Sequence, residues 1–138
     1  MKVAKEFHWE MGHRLTFHKG LCKNLHGHSY KMIIEFSGNT DKNGILIDFY
    51  DINSFIKPIL DELDHSIMVN ESDKELIEAL KKIGSRFVII NSETTAENIC
   101  IYLLELIKKT NLPKKISKLR IQVFETDTTY AEEEMMIE

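Results

Sequence analysis

The sequence predicts an α+β fold in which an antiparallel sheet carries two main helices on one face. Two observations lead to this class. Strand-like alternation of polar and apolar residues occupies both ends of the chain, and helix-like spacing occupies the middle. With 138 residues, one hydrophobic core is expected, because domains commonly contain about 100–150 residues. Residues 1–138 are therefore predicted to form a single domain.

Two strands are predicted at the N-terminal end. Residues 2–13 alternate between apolar and polar side chains, and so do residues 26–37. A period of two places successive side chains on opposite faces of a half-buried strand. His13 falls in the apolar phase of the first strand. The in-phase residues of the second strand are His26, His28, Tyr30, Met32, Ile34 and Phe36.

The first main helix is predicted where apolar residues recur at spacings of three and four, after the turn sequence of residues 39–44. Asp48 or Asp51 is expected to cap its N-terminus. Pro58 lies within the pattern and removes a backbone donor, so we expect a kink or a broken turn there. The apolar stripe consists of Ile52, Phe55, Ile56, Ile59, Leu60 and Leu63.

The remaining elements follow from the same patterns. A short helix after Ser72 and a brief extended run at residues 87–90 precede the second main helix, which begins at the capping-box sequence of residues 94–97. Residues 118–125 alternate as a strand, and the tail at residues 130–137 alternates more weakly. The predicted order is strand, strand, helix, short helix, helix, strand, strand.

Composition excludes several functional classes. The net charge of −4 comes without a basic stripe, so we expect no nucleic-acid partner. No apolar run is long enough to span a bilayer, and the first residues do not form a signal-peptide core, so we expect no membrane partner and a cytoplasmic protein. Cys22 and Cys100 are the only cysteines. They suit a reducing compartment, and Cys100 fits a small core residue.

Three histidines suggest a metal site. Side chains two apart on a strand share a face and lie about 6.5–7 Å apart along it, so His26 and His28 can bind one ion. His13 supplies a third nitrogen if the two strands pair as a hairpin, and the fourth position stays open, as in catalytic zinc sites. The alternative is a set of hydrogen-bonded strand histidines. The presence of Cys22 and of acid/base types elsewhere favours the metal hypothesis.

Short motifs along nearly the whole chain form a recognisable set. They are Phe7-His8-Trp9, His13-Arg14-Leu15, Cys22-Lys23-Asn24-Leu25-His26-Gly27-His28-Ser29, Ile47-Asp48-Phe49, Leu63-Asp64-His65, Thr94-Thr95-Ala96-Glu97-Asn98 and Glu125-Thr126. In this combination the chain resembles the 6-pyruvoyltetrahydropterin synthase family. The spacing of Cys22 from the histidine pair is most similar to the bacterial branch that makes 6-carboxytetrahydropterin in the queuosine (7-deazaguanine) pathway.

The resemblance implies a tunnelling fold, in which antiparallel sheets from several subunits close into a barrel with the helices outside. It implies a homo-oligomer, either a hexamer built as a dimer of trimers or a trimer. It also implies that Zn²⁺, bound by His13, His26 and His28, acts as a Lewis acid on 7,8-dihydroneopterin triphosphate. In the carboxy branch the products are 6-carboxy-5,6,7,8-tetrahydropterin, acetaldehyde and triphosphate.

The resemblance also implies roles for individual residues. Cys22 would act as a general base, and Asp64 would orient His65, which moves a second proton. Glu125 would accept two parallel N–H donors of the pterin, with Thr94 and Thr95 nearby. Without the resemblance, Glu125 also fits an ordinary residue at a strand end.

Two alternatives remain open from the sequence. One is a pyruvoyl-type synthase that eliminates triphosphate in tetrahydrobiopterin- or folate-type pterin metabolism. The other is a non-catalytic module that binds zinc or a pterin. The presence of Cys22, Asp64 and His65 argues against the second, because simple binding needs none of these acid/base types.

Overall fold

The computed structural model describes all residues, 1–138, and contains six strands and three helices. The elements are β1 (Lys2–His13), β2 (His26–Gly38), α1 (Phe49–Leu63), β3 (Ser66–Asn70), α2 (Lys74–Ile83), β4 (Phe87–Ile90), α3 (Ala96–Lys108), β5 (Ile116–Thr126) and β6 (Thr129–Met136). A 3-10 turn, Leu21–Lys23, lies between β1 and β2. Every predicted element is present, and β3 is an additional strand.

The six strands form one sheet in the order β4-β3-β1-β2-β5-β6. The pairs β1–β2, β2–β5 and β5–β6 are antiparallel, whereas β3 runs parallel to both β1 and β4. The α+β class is therefore confirmed, but the sheet is mixed and not wholly antiparallel. The physical reason is that α2 carries the chain back between β3 and β4, and such a crossover joins parallel strands.

The main core lies between the sheet and helices α1 and α3. The helices contribute a stripe of buried residues each, and β2 contributes the face predicted from its alternation. These residues are Ile52, Ile56, Leu60 and Leu63 from α1, Ile99, Cys100, Leu103, Leu104 and Ile107 from α3, and Tyr30, Met32, Ile34 and Phe36 from β2. Each fully buried Leu or Ile contributes about 1.5–3 kcal/mol of transfer free energy. The prediction of two main helices on one face is confirmed.

Helix α2 packs elsewhere. It forms a separate small cluster with Val69 and flanking residues of β3 and β4, whereas Met68 joins the main core. Because neighbouring strand residues point to opposite faces, α2 covers the face of β3 opposite to α1 and α3. None of the helices combines the length and the apolar character needed to cross a membrane.

The helix ends agree with the sequence in part. Asp48 caps α1, accepting a hydrogen bond of 2.8 Å from the Tyr50 amide. The N-cap of α3 is Thr95, which accepts from the Asn98 amide at 3.2 Å, so the helix begins one residue later than the capping box predicted. The expected broken turn at Pro58 is absent. Helix α1 continues through Pro58, with buried residues before and after it in the sequence.

Candidate metal centre

The three histidines converge on one face of the β1–β2 hairpin. His13 pairs directly with His26 in the strand register, and His28 pairs with Met11 two residues further along. The ring centroids are 4.7 Å (His13–His26), 4.9 Å (His26–His28) and 5.2 Å (His13–His28) apart. One nitrogen of each ring lies within 4.8 Å of the other two. The arrangement follows from the period of two that placed all three residues in the same phase.

Hydrogen bonds fix which nitrogen is free in two of the three rings. The Nδ1 of His13 lies 2.7 Å from the Thr94 carbonyl, and the Nδ1 of His26 lies 2.7 Å from the Asn24 carbonyl. A carbonyl only accepts, so each Nδ1 carries the proton and each Nε2 keeps its lone pair. The Nε2 atoms of His13, His26 and His28 are buried and have no hydrogen-bond partner. This donor set fits a divalent metal that prefers imidazole, such as zinc.

Burial favours the neutral form of two of these rings. It lowers the pKa of His13 from 6.5 to about 4, against the opposing effect of the Thr94 carbonyl and with a further decrease from the neighbouring histidines. Burial also lowers the pKa of His28, and His26 adds to that effect. A metal binds only the neutral imidazole, so the folded chain presents these rings in the form that a ligand requires.

A carboxylate faces the same cluster. Glu125, near the end of β5, places one oxygen 4.0 Å from the Nε2 of His13 and the other 3.8 Å from the Nε2 of His28. Burial raises the pKa of this carboxyl group above its usual range. Glu125 also lines a cavity of about 350 Å³ together with Ala96, Glu97, Thr129, Tyr130 and Ala131. The carboxylate therefore stands between the histidine cluster and a cavity.

A family model described as 6-pyruvoyl tetrahydropterin synthase matches residues 2–135. The chain belongs to this family. A Haemophilus influenzae protein named 6-carboxy-5,6,7,8-tetrahydropterin synthase is 36% identical, and the match covers 95% of this chain and 96% of that protein. A Rickettsia bellii protein of the same name is 32% identical over 96% of this chain and 99% of its own length. The resemblance found in the sequence motifs is confirmed.

Solved structures of the family share the fold. The Plasmodium falciparum 6-pyruvoyl tetrahydropterin synthase superimposes with a TM-score of 0.78 at 19% identity, covering 99% of this chain and 98% of that one. An uncharacterised protein from Wolinella succinogenes gives a TM-score of 0.77 at 23% identity, covering 100% and 98%. At these identities the likeness shows the fold alone. The tunnelling fold predicted for the single chain is confirmed.

The predicted acid/base pair lies at the open edge of β1. Asp64 accepts a hydrogen bond of 2.8 Å from the Glu10 amide and sits 3.0 Å from the Nδ1 of His65. His65 has a φ of 59°, in the left-handed region that is strained for a residue with a side chain. His65 lines a cavity of about 380 Å³ together with Gly12, Gly27 and His28, whereas Asp64 does not line it. No hydrogen bond or ion pair joins Asp64 or His65 to the three histidines.

Cys22 stands apart from both groups. It lies in the 3-10 turn between β1 and β2, where its side chain is partly buried and forms no disulfide. Its carbonyl accepts a hydrogen bond of 2.9 Å from the Leu15 amide, which closes the loop between the two strands. No hydrogen bond joins Cys22 to Asp64 or His65. Its role as a base stays a prediction.

Thr94 and Thr95 already have intramolecular partners. The Thr94 hydroxyl is buried, 3.2 Å from the Nδ1 of His13, and donates to the Arg14 carbonyl at 3.4 Å. The Thr95 hydroxyl oxygen caps α3. Their assignment to substrate binding stays a prediction. In the ligand-free chain, Thr94 orients a histidine ring and Thr95 starts a helix.

Sequence reasoning missed Tyr30 as a residue of this site. Its ring lies 5.4 Å from that of His28 and stacks on Trp9, with 5.2 Å between centroids. The signal was available, because Tyr30 is in phase with His26 and His28 in the alternating run. From the alternation, Tyr30 was predicted only as one of the in-phase residues of the second strand.

Proposed function

We propose that the chain is a zinc-dependent lyase that converts 7,8-dihydroneopterin triphosphate to 6-carboxy-5,6,7,8-tetrahydropterin, releasing acetaldehyde and triphosphate, in 7-deazaguanine (queuosine) biosynthesis. The observation that carries the proposal is the convergence of three buried, unpartnered imidazole nitrogens beside the Glu125 carboxylate. The names of relatives at 36% and 32% identity support the carboxy branch over the pyruvoyl branch.

In this proposal His13, His26 and His28 hold Zn²⁺. When bound, the metal supplies Lewis-acid polarisation of the side-chain oxygens of the substrate. The chain prepares the ligands in advance, because the carbonyls of Thr94 and Asn24 accept the Nδ1 protons and aim both Nε2 atoms inward. Ligands held in this way lose little conformational freedom when the metal binds.

Glu125 is proposed to hold the pterin ring. The adjacent amino group and ring N–H of a pterin form two parallel donors, which one carboxylate accepts in a bidentate manner. Burial makes a partner necessary, since a carboxylate removed from water is costly unless its oxygens receive hydrogen bonds. The neighbouring cavity of about 350 Å³ offers space for a ring at this carboxylate.

Cys22, Asp64 and His65 are proposed to move protons. Asp64 accepts from the Nδ1 of His65 and from the Glu10 amide, so the carboxylate and the ring are held in a fixed relation. This anchoring suits a proton carrier whose tautomer must be set. Since the pair lies at the open edge of β1, we propose that it serves a pocket completed by another subunit.

A homo-oligomer is therefore part of the proposal, as a hexamer (dimer of trimers) or a trimer. Its support is the pair of open strand edges: β3 pairs with β1 only at Met11 and Gly12, and β6 pairs with β5 alone. Unpaired edges are templates for a further strand, and closure between subunits removes them. We also propose that residues 1–138 act as a single domain, because one sheet spans the chain.

Product analysis tests the function directly. Zinc-loaded protein is incubated with 7,8-dihydroneopterin triphosphate, and the products are identified by mass spectrometry. The proposal expects 6-carboxy-5,6,7,8-tetrahydropterin with acetaldehyde. A pyruvoyl product would assign the chain to the activity for which the family model is named. Binding of a pterin without turnover would indicate a non-catalytic module. A His28→Ala variant serves as the control, because any product that it forms does not depend on the metal site.

A further inference from the structure

Tyr30 is a buried residue whose polar atom is unused. Its side chain is 0% exposed, and its hydroxyl has no hydrogen-bond partner. It stands on the same face of β2 as His26 and His28, with its ring 5.4 Å from His28 and 6.2 Å from His13. Leaving a buried hydroxyl unpaired costs free energy, whereas phenylalanine fills the same space without that cost. No hydrogen bond of full geometry therefore ties the hydroxyl to the rest of the ligand-free chain.

The Tyr30 ring is held in place on two sides. Trp9 stacks on it with an interplanar angle of 12°, and His28 meets it edge-on at 81°. A ring confined between a stacked indole and an imidazole does not swing to find a partner. A hydrogen bond to this hydroxyl must therefore come from a group that moves to it.

Glu125 is the group that can do so. The β2–β5 register ends at Lys31↔Phe124, so Tyr30 and Glu125 occupy the next opposed position and share a face. The Glu125 oxygens lie 4.0 Å from the Nε2 of His13 and 3.8 Å from the Nε2 of His28, the two imidazoles whose rings lie 6.2 Å and 5.4 Å from that of Tyr30. The two groups are neighbours that interact in the ligand-free chain, but their contact does not reach full hydrogen-bond geometry.

We propose that Tyr30 is a positioning residue for ligand recognition: its hydroxyl donates a hydrogen bond to the Glu125 carboxylate when a pterin occupies the pocket. This inference rests on the proposed function. A carboxylate has about four acceptor positions, so Glu125 can accept from Tyr30 and from two pterin donors together. The bond from Tyr30 fixes the plane of the carboxylate, which a bidentate contact requires.

Binding measurements on zinc-loaded protein test the inference. The probes are 7,8-dihydroneopterin and a lumazine-type analogue in which the ring 2-amino group is replaced by oxygen. Tyr30→Phe is expected to weaken dihydroneopterin binding about tenfold or more, the value of one hydrogen bond to a charged group. The lumazine analogue, which lacks the paired donors, is expected to bind both proteins alike. Tyr102→Phe, a partly buried tyrosine on α3, serves as the matched control and should change neither affinity.

Two further results separate positioning from structure. Combining Tyr30→Phe with Glu125→Gln should weaken binding no more than Glu125→Gln alone, because the hydroxyl acts through the carboxylate. The Tm of the metal-free Tyr30→Phe variant should equal or exceed that of the parent. Unchanged dihydroneopterin affinity, or a lowered Tm with equal losses for both probes, overturns the inference and leaves the proposed function intact. A parent protein that binds neither zinc nor dihydroneopterin overturns the proposed function and the inference with it.

Discussion

The His13 imidazole illustrates how burial prepares a ligand. Burial lowers its pKa from 6.5 to about 4. In the unfolded chain the ring takes up a proton as the pH falls through 6.5, whereas in the folded chain it does so only near 4. Between these values the unfolded state binds more protons, so the free energy of unfolding decreases as the pH decreases.

The metal-free protein should therefore lose about 3 kcal/mol of stability through His13 between pH 7 and pH 4. Urea denaturation across this range measures the loss. His13→Gln is the reference, since it lacks the titration while retaining Glu125, whose raised pKa acts in the opposite direction. Parallel pH profiles for the two proteins would contradict a buried, neutral His13.

Cys22 and His28 should separate chemistry from metal binding. Cys22→Ala is expected to bind zinc like the parent and to lower kcat about 10²–10⁴-fold, since it removes only a proton acceptor. His28→Ala is expected to lose both zinc and turnover, because it removes a ligand. Zinc content and initial rates are measured on the same preparations. Normal turnover by Cys22→Ala would remove its assignment as the base.

At the residue scale, the alternation of the sequence predicts which side chains share one face of a strand. The common face of His13, His26 and His28 follows from alternation alone. The partners that orient the rings, the carbonyls of Asn24 and Thr94, depend on loop conformation that alternation does not encode. The position of His65 at the edge of β1 is likewise not encoded by alternation, because it depends on how the chain returns to β1 after α1.

At the element scale, Asp73 joins the short helix α2 to the end of β1. It caps α2 by accepting from the Leu76 amide at 3.3 Å, and it receives two hydrogen bonds of 2.7 and 2.8 Å from the guanidinium of Arg14. Arg14 directly follows the ligand His13. The bidentate pair therefore ties a helix outside the main core to the strand that carries a metal ligand.

Two substitutions at Asp73 should dissect this contact. Asp73→Asn retains a good capping side chain but loses the ion pair, and is expected to cost about 1–2 kcal/mol. Asp73→Ala loses both and should cost about 1 kcal/mol more. Urea denaturation measures both, with the neighbouring Ser72→Ala as control. If Asp73→Asn proves as stable as the parent, the ion pair contributes nothing to holding α2.

Helices α1 and α3 were predictable because each has a clear apolar stripe, and the structure buries those stripes. Strand β3 could not be predicted from the sequence, because it has only five residues, too few to show alternation, and comes soon after α1. Its parallel pairing depends on the crossover through α2, a relation between three elements. The packing of α2 on the opposite face has the same origin.

At the scale of the whole molecule, the edge of β1 that faces away from β2 leaves backbone groups without a strand partner. The Glu10 amide bonds Asp64 and its carbonyl accepts from the His65 amide, so both groups of Glu10 point away from β2. Since β1 pairs with β2 without a bulge, alternate residues back to Lys2 share this orientation. From His8 towards Lys2, this edge has no strand partner within the chain.

Ala4→Pro should therefore prevent assembly and leave the subunit folded. It removes an amide that faces the open edge, and proline is tolerated at such positions. Analytical ultracentrifugation is expected to find an oligomer for the parent and for the control Ala4→Val, which retains the amide, and a monomer for Ala4→Pro. A monomeric parent, or an Ala4→Pro variant that assembles normally, would contradict assembly through this edge.

Zinc titration of metal-free protein against a chromophoric chelator tests the metal centre most directly. The parent and His8→Ala, which alters an exposed histidine on the same strand, should bind one zinc ion per chain. His13→Ala, His26→Ala and His28→Ala should each lose this tight binding, because three converging nitrogens are required. Retention of parental zinc affinity by any of these three variants, or absence of zinc binding by the parent, would contradict the account.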